Sequence, residues 1–117
     1  MKLLCVDEDT SEKVGLAIRK LRPTWDVLHA RQWAGGGTPD DLLLEMLWQD
    51  RRALISRDRS TLPGWIKRRQ ARSLDHAGVF FWDAEKFPPD AIGALARACV
   101  RTMERFSDTV NVVDTIR

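Results

Sequence analysis

Three aspartates occupy positions from which they could share one site. Asp7 and Asp58 each follow a short apolar run, and Asp40 stands where an amphipathic segment begins. Carboxylates that are brought together repel one another unless a positive charge compensates them. A hard divalent cation, Mg²⁺ or Mn²⁺, prefers oxygen ligands, and it can activate water and stabilise the charge that builds on a scissile phosphodiester. These residues therefore predict a metal site for phosphodiester hydrolysis, with Asp7, Asp40 and Asp58 as catalytic residues and metal ligands.

Further carboxylates lie beside the three aspartates. Glu8 and Asp9 follow Asp7 directly, and since side chains alternate along a strand, at most one of them should share the direction of Asp7. Glu8 and Asp9 are therefore second choices, and we include Glu8 among the candidate metal ligands. For Asp41 a role in capping a helix is favoured over metal binding.

A group of basic residues follows the third predicted strand. It contains Arg57, Arg59, Lys67, Arg68, Arg69 and Arg72. Lysine and arginine supply the part of nucleic-acid affinity that does not depend on sequence. We expect Arg57, Arg59 and Lys67 to bind the substrate phosphate. Trp65 lies in this group and could stack a base, although burial in the core is the favoured interpretation.

A purely structural interpretation of the acids is equally open. Asp7 and Asp58 could simply end buried strands, and Asp40 and Asp41 could favour the amino end of a helix through its dipole. The remaining motifs are weaker evidence of function than the aspartates. His29 and His76 lack partners at the spacing of a metal site or a catalytic triad, so we expect structural roles for both. The glycine run 35–37 lacks the lysine and hydroxyl of a phosphate-binding loop.

The elements that must position these residues alternate along the chain. Apolar runs predict strands at 2–6, 25–30, 53–56, 78–82 and 110–113. Helical periodicity predicts helices around 14–21, from 38 onward, at 64–72 and from 88 to 106. In the second of these, Thr38 should cap the helix, Pro39 should take the first position and Asp41 should complete a capping box.

Alternating strands and helices predict an α/β fold of three layers, an α/β/α sandwich with a mainly parallel central sheet of four or five strands. In such sheets ligands bind beyond the carboxyl ends of the strands. Asp7 and Asp58 fall at that rim, and the helix that Asp40 opens begins near it. The sequence thus predicts that three acids from distant parts of the chain meet in one cleft.

The motifs Leu3–Asp9, Gly37–Leu43 and Ala53–Arg59 resemble those of PIN-like proteins, in particular a short, largely uncharacterised bacterial branch of that superfamily. The resemblance runs from Met1 to about Val100. It implies a Mg²⁺- or Mn²⁺-dependent ribonuclease, often the toxin of a toxin–antitoxin pair, with an antitoxin protein as partner. It assigns the acidic positions to Asp7, Asp40 and Asp58 and the hydroxyl position beside the last acid to Ser56, which we therefore expect to bind the substrate. The fourth acid of larger members has no evident equivalent unless Glu8 or Asp41 replaces it.

A phosphoacceptor receiver domain is the main rival interpretation. Its sheet also begins with a strand that ends in acids, and its phosphorylated residue would be Asp58. A receiver needs Ser or Thr after the fourth strand, where this chain has Asp83, and Lys after the fifth, where 111–117 contains none. We therefore rank it second. A PIN-like module without catalysis, acting through a protein partner, is a third alternative.

The length, composition and net charge of the chain limit these hypotheses. The 117 residues, 44% of them hydrophobic, suit one domain with a packed core spanning 1–117. A net charge of +2 does not by itself predict a nucleic-acid binder. Cys5 and Cys99 lie in apolar patterns and predict reduced core thiols in a cytoplasmic protein, and no stretch resembles a membrane span or a secretory signal. RNA is the expected partner, and a homodimer stays open.

Overall fold

The computed structural model describes all residues from Met1 to Arg117. The chain forms five strands and five helices, with two consecutive helices between the second and third strands. In chain order they are β1 (Leu3–Val6), α1 (Glu12–Leu21), β2 (Asp26–His29), α2 (Ala30–Trp33), α3 (Asp40–Asp50), β3 (Ala53–Ser56), α4 (Leu62–Ala71), β4 (Val79–Phe81), α5 (Ile92–Met103) and β5 (Val113–Thr115). The predicted α/β class is confirmed.

All five strands are parallel, in the order β2-β1-β3-β4-β5. The chain leaves β1 toward one edge to form β2 and then returns across the sheet to form β3 on the other side of β1. This doubly wound order has its switch point between β1 and β3, where the loops beyond the carboxyl ends diverge and leave a crevice. Asp7 and Asp58 follow those two strands, so the topology places both beside the crevice.

Helices cover both faces of the sheet, and alternate strand residues serve each face. Leu4, Val6 and Ile55 pack with α1 and α5 in one apolar cluster, while Cys5 and Leu54 pack with α3 and α4 in the other. This separation explains why the central strands are continuous apolar runs, since a parallel strand that is covered on both faces has no polar side. Cys5 and Cys99 are free thiols in different clusters, and burial raises the pKa of each to about 12.

The predicted capping box at the start of α3 is wrong. The helix begins at Asp40, its capping residue is Pro39, and no side chain caps it. The Thr38 hydroxyl instead donates backward to the carbonyls of Ala34 and Gly35, each at 2.8 Å, and so closes the glycine loop. The carboxylate of Asp41 accepts only from the neighbouring Leu42 amide, at 2.9 Å.

Other boundaries differ where local pattern and tertiary pairing disagree. The last strand begins at Val113 rather than Val110, because the turn that contains Asn111 at φ 60° comes first and strand pairing starts only beside β4. The short helix α2 was not predicted; it packs beside β2. Among the helices, none is long and apolar enough to cross a membrane.

Candidate functional site

An open cleft lies beyond the carboxyl ends of β1 and β3. We call it the acidic cleft. It is lined by Asp7, Glu8, Asp9, Asp40, Asp58, Arg57, Arg59, Ser60 and Ala84. The structure therefore brings the three predicted aspartates to one cleft, although they lie on three different segments of the chain.

Asp7 is the most buried acid of the cleft. It is the first residue after β1, and its backbone amide continues the sheet by donating to the Ile55 carbonyl at 2.9 Å. Its Oδ1 accepts from the Glu8 amide at 2.8 Å, and its side chain makes no ion pair. Burial, opposed by the hydrogen bond with Ser56 and assisted by the negative charge of Asp9, raises the pKa of Asp7 to about 6. Asp7 is thus a carboxyl group whose ionised form is poorly compensated by the protein itself.

Glu8 and Asp9 both line the cleft with Asp7, whereas strand alternation allowed only one of them. The strand ends at Val6, and the following turn is closed by the Thr10 amide donating to the Asp7 carbonyl at 3.0 Å. In a turn the alternation of sides no longer holds, so residue 8 can reach the same cleft as residues 7 and 9. The signal for Asp9 was the Asp-Thr-Ser sequence, because such residues favour turns and helix starts over strands.

Ser56 lies too deep in the structure to make the predicted contact with a substrate. It is fully buried at the end of β3. Its hydroxyl lies near the carboxylates of Asp7 and Asp9, donating to the latter at 3.2 Å, and it accepts from the Asp58 amide at 3.0 Å. Ser56 therefore ties the β1 loop to the β3 loop from below the cleft, because no part of it is exposed to a ligand.

Asp40 and Asp58 meet through one hydroxyl group. The Thr61 hydroxyl, at the start of α4, contacts both the Asp40 carboxylate, at 3.4 Å, and the Asp58 carboxylate. Burial raises the pKa of Asp40, and the charge of Asp58 raises it further. Asp40 is thus the second acid in the cleft whose ionised form is disfavoured by its surroundings.

Asp58 has the opposite electrostatic character. Its Oδ1 accepts from the Ser60 amide at 3.0 Å, the Ser60 hydroxyl at 2.9 Å and the Thr61 amide at 3.0 Å. Burial by itself would raise its pKa, but the hydrogen bonds from Thr61 and Ser60 outweigh burial and lower the pKa to about 2. Asp58 is therefore ionised at any physiological pH, and it also caps the loop that leads into α4.

Glu8 is exposed on the outer side of the cleft. Its Oε2 accepts from the Gly37 amide at 3.1 Å. The glycine loop adopts positive φ at Gly35 and Gly37, 89° and 74°, which glycine permits without a steric penalty. Glu8 consequently holds the loop that precedes Asp40, a positioning contact in addition to the metal ligation predicted for it.

The basic residues divide into two groups. Arg57 and Arg59 line the acidic cleft, are exposed and make no ion pair. Lys67 is exposed on α4 but does not line the cleft, so a phosphate bound there would lie outside its contacts. Trp65 is half-buried against the α3–α4 cluster with the Arg68 guanidinium 4.4 Å from its ring centre, which confirms the core interpretation for much of the ring.

The histidines have the structural roles expected of them. His29 is buried, and its Nε2 donates to the Thr10 carbonyl at 2.8 Å while its Nδ1 accepts from the Arg31 amide at 3.3 Å. These two hydrogen bonds support the turn that carries Asp9. His76 is buried at the opposite end of the sheet, and burial lowers its pKa.

The fit of a metal ion to the acidic cleft depends on how close the carboxylates stand. In no part of the chain do three or more His, Cys, Asp or Glu side chains come close enough to form a ready-made metal group. The cleft thus lacks a cage of protein ligands. Its donors are nevertheless all oxygen atoms, and Mg²⁺ is usually held by one or two carboxylates, several waters and substrate phosphate. The donor set fits a hydrated ion of that kind.

Comparisons of the chain with protein-family models, with curated proteins and with solved structures found no match. The resemblance to PIN-like proteins consequently rests on the quoted residues alone.

Proposed function

We propose that this protein is a Mg²⁺- or Mn²⁺-dependent ribonuclease of the PIN-like type, which hydrolyses phosphodiester bonds in the acidic cleft. The observation that carries the proposal is the gathering of Asp7, Asp9, Asp40 and Asp58 in one cleft without a cationic side chain paired to any of them. Crowded, partly buried acids are destabilising, and perturbed carboxyl groups in a cleft are characteristic of functional sites.

The three aspartates differ in electrostatic character, and we propose a different role in metal binding for each kind. Asp58 is held in its ionised form by four hydrogen bonds, and it suits a permanent ligand. Asp7, with a pKa of about 6, and Asp40 gain most from a nearby cation, because each is poorly compensated without one. When bound, the ion would supply an activated water and stabilise the developing negative charge.

Two guanidinium groups complete the site. Arg57 and Arg59 are exposed at the cleft and unpaired, so they can donate to phosphate oxygens without first breaking an ion pair. Arginine binds phosphate through two parallel hydrogen bonds, which fixes orientation as well as charge. A single-stranded or structured RNA could therefore be held with its phosphate between these arginines and the acids.

The decisive experiment compares Asp40→Asn with Asp41→Asn in an RNA-cleavage assay with added Mg²⁺ or Mn²⁺. The two residues are neighbours in the first turn of α3, but only Asp40 lines the cleft. We expect D40N to lose activity by about a hundredfold or more and D41N to retain it. Equal activity in the two variants, or cleavage that persists in EDTA, would refute the proposal. Asp58→Asn is a weaker test, since that variant also disturbs the loop before α4.

The toxin role implied by the resemblance has its own test. Induced expression in bacteria should arrest growth with the wild-type chain and with D41N, but not with D40N. Growth arrest by all three would show that toxicity does not depend on the cleft.

One observation favours the receiver interpretation as a second candidate. The strand order β2-β1-β3-β4-β5 is shared by flavodoxin-like folds, which include receiver domains. The cleft itself differs from a phosphoacceptor site: Asp83 follows β4 and no lysine follows β5. Arg117, the cation nearest in sequence, lies 3.8 Å from the Asp114 carboxylate. Incubation with acetyl phosphate should yield no base-labile aspartyl phosphate, and such an adduct on Asp58 would establish the receiver function.

A further inference from the structure

A second, more enclosed cavity adjoins the acidic cleft. It lies between α1, the segment after β4 and α5, with a volume of about 130 Å³. Its wall is largely apolar, formed by Val14, Trp82, Phe87, Pro88, Ile92 and Leu95. The role in phosphodiester hydrolysis proposed above does not use this cavity.

The cavity and the cleft share a border. Asp9, Arg57 and Ala84 line both of them. A chain molecule whose phosphate lies at Arg57 would thus have its neighbouring group beside the apolar cavity. The two sites are continuous for a nucleotide, which joins a charged phosphate to a flat and less polar base.

A hydrogen-bonded chain connects the cavity wall to the acids. The Trp82 indole Nε1–H donates to the Thr10 hydroxyl at 2.9 Å, and that hydroxyl donates to the Asp9 carboxylate at 2.9 Å. Trp82 is nearly fully buried, so it forms the floor of the cavity rather than an exposed stacking surface. Phe87 is half-buried beside it and offers an aromatic face. This arrangement orients Asp9 toward the border between the two sites.

The size of the cavity selects among bases. An apolar cavity of ~150 Å³ accommodates one benzene ring. A volume of about 130 Å³ is therefore a closer match to a single six-membered ring than to the fused rings of a purine. Polar groups are available for the edge of such a ring: the Ser11 hydroxyl uses its oxygen to accept from Lys13 at 3.2 Å but keeps its hydrogen, and Asp9 is an acceptor.

We propose that this cavity binds a pyrimidine base of the RNA whose phosphate occupies the acidic cleft, and that it makes the chain selective for pyrimidines next to the scissile bond. The proposal rests on the ribonuclease function proposed above. The base enters with one face toward Phe87 and its polar edge toward Ser11 and Asp9.

A binding experiment tests the cavity without requiring cleavage. The full chain, labelled with ¹⁵N and kept in EDTA, is titrated separately with UMP, CMP, AMP and GMP while the Trp82 indole resonance is followed. We expect UMP or CMP to shift that resonance with an affinity roughly tenfold above that of either purine nucleotide. Equal shifts by purines and pyrimidines, or none with any of the four, would overturn the proposal.

Matched variants at the start of α5 make the experiment more specific. Ala91→Leu, at the residue that precedes the helix, places a larger side chain at the cavity, whereas Ala94→Leu makes the same change in the first turn, outside the cavity. We expect A91L to abolish the pyrimidine shift and A94L to preserve it, with thermal melts showing that both are folded. Should A91L fail to fold, Ala84→Leu at the exposed border replaces it. An unchanged pyrimidine shift in the folded cavity variant would refute the assignment.

Cleavage mapping separates this proposal from the one on which it rests. With wild-type chain and Mg²⁺, cuts should fall beside U and C, and A91L should spread them over all four bases while D40N abolishes them. Pyrimidine binding without any cleavage would refute the nuclease function and retain the base pocket. Cleavage without base preference would retain the nuclease and refute the pocket.

Discussion

The two rims of the sheet, at the amino and carboxyl ends of its strands, differ in whether their charged side chains have partners of opposite charge. At the amino-terminal rim, Arg52 is buried just before β3, and its Nη1 donates to the Leu4 carbonyl at 3.1 Å and to the Asp26 carboxylate at 3.0 Å. Its Nε donates to the Asp50 carboxylate at 2.7 Å. At the carboxyl-terminal rim, Asp7, Asp9, Asp40 and Asp58 share a cleft and none of them pairs with a cation.

This difference separates a structural charge cluster from a functional one. A buried charge is tolerated when hydrogen bonds and counter-charges satisfy it, and removing its partners is strongly destabilising. Asp7 and Asp40 lack a counter-charge and have raised pKa values, so their ionised forms weaken the fold, and a role in binding a cation or in chemistry accounts for their presence. Changing the charges at each rim in turn tests this difference.

The largest effect on stability should come from the amino-terminal rim. Arg52→Ala leaves two buried or half-buried carbonyls and two carboxylates without their donor, so we expect the free energy of unfolding to fall by ~3 kcal/mol. Urea unfolding measures it. Arg19→Ala, on the exposed face of α1, is the control and should change stability by less than about 0.5 kcal/mol. Similar losses in both variants would contradict the structural role of Arg52.

The carboxyl-terminal rim should respond in the opposite direction. Asp7→Asn keeps an oxygen that can accept from the Glu8 amide and removes a buried, poorly compensated charge. We expect the free energy of unfolding at pH 7 to rise by ~2 kcal/mol and RNA cleavage to be lost. Destabilisation by D7N would show that Asp7 is a structural residue after all.

The pH dependence of stability gives an independent reading of the same group. Because the folded-state pKa of Asp7 is about 6, above the value in an unfolded chain, its protonated form favours folding. That contribution is complete below the unfolded pKa of ~4 and disappears as the pH rises through about 6. Urea titrations without metal should therefore show wild-type stability declining over this window relative to D7N. Parallel profiles would contradict the raised pKa.

A moderate effect should follow from supplying the missing positive charge. Millimolar Mg²⁺ or Mn²⁺ should stabilise the wild-type chain by ~1 kcal/mol, because a ligand that binds only the folded state shifts the equilibrium toward it. The melting temperature should rise by about 4 °C. D41N should respond like wild type and D40N should not. An equal rise in all three would indicate binding elsewhere.

The smallest effect should come from the arginines of the cleft. Each phosphate contact contributes about one ion released, so Arg57→Gln should lower the slope of log affinity for RNA against log salt by about 1. Fluorescence anisotropy with a short RNA, using D40N as the background to prevent cleavage, measures this slope. Lys67→Gln is the informative comparison, since Lys67 lies outside the cleft and should leave the slope nearly unchanged.

Local pattern in the sequence determined much of the architecture. The apolar runs that end in Asp7 and in Ser56 were long enough to identify β1 and β3, and their continuous hydrophobicity required a sheet covered on both faces. Alternation of strands with helices then implied parallel pairing, and parallel pairing implied a common rim. The meeting of Asp7, Asp40 and Asp58 in one cleft follows from those steps, because connectivity alone decides which strand ends share a side.

Only the tertiary structure decided how each side chain is used. Whether a carboxylate is crowded or satisfied depends on its complete surroundings. Hydrogen bonds from Ser60 and Thr61 outweigh the effect of burial on the pKa of Asp58, whereas the hydrogen bonds from Ser56 and Glu8 do not outweigh it at Asp7. The burial of Ser56, the presence of both Glu8 and Asp9 in the cleft and the cavity beneath Phe87 likewise arise where loops from several strands close over one another. Periodicity is a property of neighbours along the chain, and it carries no information about the packing of loops across a sheet.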